Sequence, residues 1–135
     1  MNTQNASTSL LARALLASLF LISGFGKLAA PAATKAYIVY AGLPLPDLAY
    51  LVAVVVEVGF GLALLAGYRT RVVAALMAVF TVATALAFHD HFGDQNQFIH
   101  FLKNLAIAGG LLQFAATGAG AYSLDAVRLR RRALA

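Results

Sequence analysis

In the run FIHFLKNLAIAGGLLQFAAT, residues 98 to 117, His100, Lys103 and Asn104 fall at i, i+3 and i+4, which places three polar side chains on one helical face. Together they offer a base, a cation and an amide that both donates and accepts. Glu57 stands inside VAVVVEVGFGL, and Lys27 closes the run RALLASLFLISGFGKL. Ionisable groups within apolar helices are costly, so each one marks a pair, a pathway or a binding site. Two cations, an acid and an amide in an apolar pocket suit a ligand with an anionic or carbonyl oxygen and a greasy body, such as a quinone.

Plainer uses compete for the same residues. Long cationic chains near helix ends snorkel to the headgroups, which is the expectation for Arg13 and a full alternative for Lys27. Glu57 has no such escape, because its side chain is short. Counting about 1.5 Å per residue from the outer boundary places Lys103 about 7 Å deep, Glu57 about 14 Å deep and Lys27 in the last turn of its span. Lys103 is then the nearest cation in depth, and a Glu57–Lys103 pair is expected across the bundle. On the face Arg13, Ala17, Phe20, Gly24 and Lys27, the first span brings its lysine to the same outer level.

His89, His91 and His100 all lie near one surface, and HDH with His100 makes a weak candidate metal site. His89 and His100 are also candidates to face a haem. Solvated loop histidines explain them more simply, so no metal is expected. The chain contains no cysteine, which excludes thiol catalysis, disulfides and cysteine-held zinc or iron–sulfur clusters. No Gly-rich phosphate loop follows a strand, so a bound nucleotide is not expected.

The elements that position these residues follow from composition. Of 135 residues 61% are hydrophobic and 11% charged, and the mean hydropathy is +0.81. A chain this short cannot bury that much apolar area internally, so the excess faces lipid. Crossing a hydrocarbon core takes roughly 20 helical residues. Four windows qualify: Leu10–Leu28, Leu48–Ala66, Val72–Phe88 and Phe98–Thr117, the third borrowing a turn from Thr70–Arg71. Period-2 alternation is absent, so the fold class is all-α, a single domain over residues 1–135. The small residues after the first window resemble a signal-peptide cleavage site, but its leader lacks positive charge and Lys27 interrupts the run, so it is read as a retained span.

Arg69 and Arg71 occupy the loop between the second and third windows, and Arg128, Arg130, Arg131 and Arg132 follow the fourth. The positive-inside rule then gives an up-down-up-down four-helix bundle with both termini cytoplasmic. With net charge +5 the tail RLRRRALA acts as a topology anchor touching anionic lipid, rather than binding nucleic acid. The first loop, with Pro31, Pro44 and Pro46, holds TKAYIVYAG, a short interfacial helix with Tyr37 and Tyr40 at headgroup level. Gly24, Gly59, Gly61 and the pair Gly109–Gly110 suit close helix packing.

The segments RALLASLFLISGFGKL, AGLPLPDLAYLVAVVVEVGFGLALLAGYRTR, FHDHF with QFIHFLKNLAIAGGLL, and GAGAYSLD together resemble the DoxX family of small membrane proteins. The family pattern has a glycine-preceded lysine ending the first span, matched by Gly24, Gly26 and Lys27. It has an acid in the second, matched by Glu57, and a lysine–asparagine pair in the fourth, matched by Lys103 and Asn104. The resemblance implies a multi-pass protein of the cell inner membrane, tied to quinone-linked, sulfur or oxidative-stress redox systems. It implies an oxidoreductase subunit without its own redox centre, partnered by soluble redox enzymes, a lipid-like ligand or further copies of itself. A noncatalytic scaffold that recruits soluble enzymes and a small proton-coupled transporter using Glu57 are the alternatives.

Overall fold

The structure is a computed structural model that describes residues 3–134. Its elements are α1 (Thr3–Ala29), α2 (Pro31–Tyr40), α3 (Pro46–Ala66), α4 (Thr70–Phe88), α5 (Gln95–Thr117) and α6 (Leu124–Ala133). Among the described residues there is no strand. Helices α1, α3, α4 and α5 are long and apolar enough to cross a membrane, and each extends beyond its expected window. Chain punctuation sets the boundaries. Pro31 and Pro46 open α2 and α3 at positions where a missing N–H costs nothing. Asp94 opens α5 by accepting the N–H groups of Asn96 and Gln97. Ser123 opens α6 by accepting that of Ala126.

α3 carries a π-helical turn at Val55–Phe60. Such turns hold one more residue than an α turn, so they change which side chains face the neighbours. Glu57 lies in this turn and is buried.

Small residues dominate the interior. Ala17, Ala74 and Ala108 surround Leu64, Met77 and Leu111, and α4 packs along α5 while α1 packs along α3. Large apolar side chains point the other way, with Ile22 74%, Val79 69% and Leu15 64% exposed. That inversion suits a bundle solvated by lipid, where association rests on close packing rather than on escape from water. Thr81 and Thr84 donate to the carbonyls of Met77 and Thr81, so their hydroxyls are satisfied within α4.

The glycines divide into two groups. A β-carbon on Gly24 would lie 2.6 Å from Val58 Cγ2 and 2.9 Å from Glu57 Cβ, and one on Gly61 would lie 3.1 Å from Leu21. Gly110 has only ordinary contact, whereas Gly26, Gly59 and Gly109 face open space, so the packing role expected for Gly59 and Gly109 does not hold. Gly24→Ala should therefore push α1 away from the Glu57 turn and destabilise the bundle by about 1–3 kcal/mol. Gly26→Ala is the control, and similar melting temperatures for the two variants in detergent would refute the close-approach role.

At one end of the bundle Arg13 departs from expectation. Instead of snorkelling it is fully buried. Its Nη1 donates to Leu64 O at 3.1 Å and Leu65 O at 2.9 Å, and its Nη2 donates to Tyr122 O. The guanidinium thus caps the final carbonyls of α3 and ties them to the segment before α6, which favours burial because the planar fork finds acceptors that lipid cannot offer. Gly67, in left-handed conformation at φ 69, makes room, since a β-carbon there would lie 2.5 Å from Arg13 Nη1. Asp125 completes the joint. Its oxygens accept the N–H groups of Arg69 and Thr70 at 2.8 and 2.9 Å, and its own N–H donates to Gly67 O. Burial pushes the Asp125 carboxyl upward, but those two N–H groups and the charge of Arg128 outweigh it and hold it below the usual carboxylate range.

Candidate functional site

At the other end, α1, α2, α3, α4 and α5 line a partly open cavity of about 400 Å³. Helix α2 lies over it, with Ile38 buried among the lining residues and Thr34 and Tyr37 beside it. Leu43, Val52, Ala53, Phe80, Ala83, Ala87 and Phe88 give apolar walls. Tyr37 stacks on Phe88 with ring centroids 5.3 Å apart. The short helix expected at TKAYIVYAG is thus present, shifted to Pro31–Tyr40, and it contributes to the cavity wall.

The polar groups in this cavity are few. Lys27 Nζ donates to Glu57 Oε1 at 3.0 Å and lies 2.8 Å from Oε2. Both carboxylate oxygens thus face the same ammonium. Lys27 also donates to Ser23 Oγ at 2.8 Å, and Tyr50 donates to the Lys27 carbonyl at 3.3 Å. The lysine side chain remains 26% exposed and the glutamate 9%. A cation with accessible surface and a buried carboxylate therefore meet at the wall of one cavity. Asn104 lines it as well, its amide nitrogen donating to His100 O at 3.1 Å.

The expected Glu57–Lys103 pair is not formed, because Glu57 pairs with Lys27. Depth along a helix does not fix direction around its axis. Close approach at Gly24 brings α1 against the Glu57 turn, whereas Lys103 points outward, exposed. An outward lysine at this depth reaches the headgroups through its flexible stem, which answers why α5 tolerates it.

Of the candidate ligand-binding residues, the cavity collects Lys27, Glu57 and Asn104, and excludes Lys103 and His100. His89 lines the cavity, and its Nδ1 donates to Gln97 Oε1 at 2.8 Å. His89 and His100 stack with centroids 5.2 Å apart and 21° between planes, so neither faces a shared ion and no macrocycle fits between them. His91 Nδ1 lies 2.9 Å from Asp90 in the exposed loop. No group of three metal-ligating side chains occurs among the described residues. Tyr37, expected only as a headgroup-level aromatic, joins the lining, as do Thr84 and Phe88, which nothing in the sequence placed there. An aromatic pair flanking two span ends is a weak signal for such a wall, and Thr84 gives none.

The profile of one protein family, DoxX, matches residues 8–90, more than half of the chain and the stretch that carries Lys27 and Glu57. The chain belongs to the DoxX family. Among its relatives, inner membrane protein YqjF of Escherichia coli (strain K12) is 42% identical over 119 residues, covering 86% of this chain and 88% of that protein. Inner membrane protein YphA of the same organism is 38% identical over 122 residues, covering 86% of each. No solved structure matches. With four helices able to span a bilayer, this DoxX chain is a multi-pass inner-membrane protein.

Proposed function

We propose that this DoxX protein binds an apolar, oxygen-bearing ligand of the quinone type in the cavity between α2 and the bundle, as the membrane subunit of a quinone-linked redox system. The observation that carries this reading is the Lys27–Glu57 pair, a buried carboxylate with a partly exposed ammonium, in a mainly apolar cavity within the size range of ligand sites. Lys27 Nζ would donate to a ligand carbonyl, and Asn104 would turn its amide from His100 O to a second oxygen. Glu57 would hold or release a proton beside Lys27. A quinone, when bound, supplies two-electron chemistry coupled to protons, and the residues named fit its apolar ring and its carbonyls. Electrons would come from a partner enzyme, since the chain has no cysteine.

Ligand content per folded molecule, by mass spectrometry of extracted lipids, tests the site. Lys27→Met and Asn104→Leu should each lower it about tenfold, the worth of one hydrogen bond to a charged or dry partner. Lys103→Met and Val79→Leu should leave it unchanged. Unchanged content in both cavity variants removes the site and leaves the scaffold reading, while Glu57-dependent flux in proteoliposomes would favour transport.

The orientation belongs to the same proposal, with the four spans running up, down, up and down and both termini in the cytoplasm. Asp125 bonded to Gly67 sets the arginines of both basic segments at one end, and that clustering supports a cytoplasmic location. Cysteines introduced at Asn96 and Leu134 test it in intact cells. Asn96 should react with an impermeant reagent and Leu134 should not, and the reverse pattern would overturn the orientation.

A further inference from the structure

We propose that the basic cleft at the arginine end is a binding site for the phosphate of an anionic phospholipid. The cleft has a volume of about 570 Å³ and lies where α4 begins and α5 ends. That is headgroup depth for a bundle whose spans are α4 and α5. Arg69, Arg71, Arg128 and Arg132 line it, and all four are exposed. The one carboxylate present, Asp125, is committed to the backbone N–H groups of Arg69 and Thr70. None of the four guanidinium groups forms a salt bridge among the described residues. Four positive charges thus converge on a cleft whose only acid is occupied elsewhere.

Two further features give the cleft form. Arg71 Nε lies beside Gly118, in ordinary contact range of where a β-carbon would sit, 3.6 Å away. Arg128 rests on the Tyr68 ring, 5.3 Å from its centroid, which holds it near the membrane boundary. Guanidinium groups engage phosphate oxygens with paired donors, so a cleft of this kind favours phosphate over a zwitterionic headgroup that carries its own cation. On α6, exposed Leu129 and Val127 would touch the acyl region beneath such a headgroup. This site lies at the opposite end from the Lys27–Glu57 cavity and does not depend on what that cavity binds.

The test uses the full chain in nanodiscs of phosphatidylglycerol and phosphatidylcholine, with lipid retained after detergent exchange measured by native mass spectrometry. Arg71→Gln/Arg128→Gln should reduce retained phosphatidylglycerol about tenfold or more, on the scale of two surface arginines. Arg130→Gln/Arg131→Gln removes the same charge outside the cleft and should reduce retention several-fold less than the cleft variant does. Melting temperatures of both variants confirm that each remains folded. Equal loss in the two variants, or no loss in the first, overturns the site. Added millimolar inorganic phosphate should not displace the lipid, and displacement would overturn the lipid as occupant.

Discussion

Arg13→Leu should destabilise the bundle by about 3–5 kcal/mol, the largest effect of any single substitution anticipated in this chain. Its guanidinium is fully buried and serves the carbonyls of Leu64, Leu65 and Tyr122, which belong to two segments far apart in sequence. Removing it leaves those acceptors short of donors in a place with little access to water. Arg13→Lys should recover little, because one ammonium cannot reach three carbonyls arranged around a planar fork. Gly67→Ala should imitate the loss by occupying the space beside Nη1. Urea or thermal unfolding in detergent reads all three. Wild-type stability in Arg13→Leu would show that the capping contributes nothing.

The pair Lys27–Glu57 should give the second-largest effect. Lys27→Met alone leaves Glu57 buried with no partner at 2.8–3.0 Å. That substitution should cost about 3 kcal/mol, at the low end for a broken buried pair because the lysine keeps some exposure. Combining it with Glu57→Leu should restore part of the loss, since no charge then remains to be solvated. The coupling itself should be about 1 kcal/mol or less if the membrane-protein norm applies, and larger if the cavity is dry. Lys103→Met should be additive with Glu57→Leu. Strict additivity between Lys27 and Glu57 would refute the pair, and coupling between Glu57 and Lys103 would restore the cross-bundle alternative.

How far the sequence reached differs from residue to residue. Composition and hydropathy alone determined the four spans and the all-helical class, because a 135-residue chain with 61% hydrophobic residues has no interior large enough to hide them. The short helix was legible as TKAYIVYAG and the second span as starting at Leu48. Pro31 and Pro46 open the two helices a few residues earlier, because Pro is tolerated where the N–H has no partner. The polar residues of interest were also visible, because a charge in an apolar run is conspicuous and depth follows from helical rise.

Only the tertiary structure decided which of them meet. Rise per residue gives position along an axis, but the direction of a side chain depends on how each helix is rotated in the packed bundle. The π turn at Val55–Phe60 turns Glu57 inward, and Gly24 lets α1 approach it, so Lys27 becomes the partner and Lys103 faces out. The same reasoning applies to Arg13. Its distance from the end of α1 suggested snorkelling, yet burial became favourable once Gly67 opened a space and the end of α3 presented carbonyls to fill it. Those acceptors lie 51 and 52 residues away in sequence, a separation that local pattern cannot bridge.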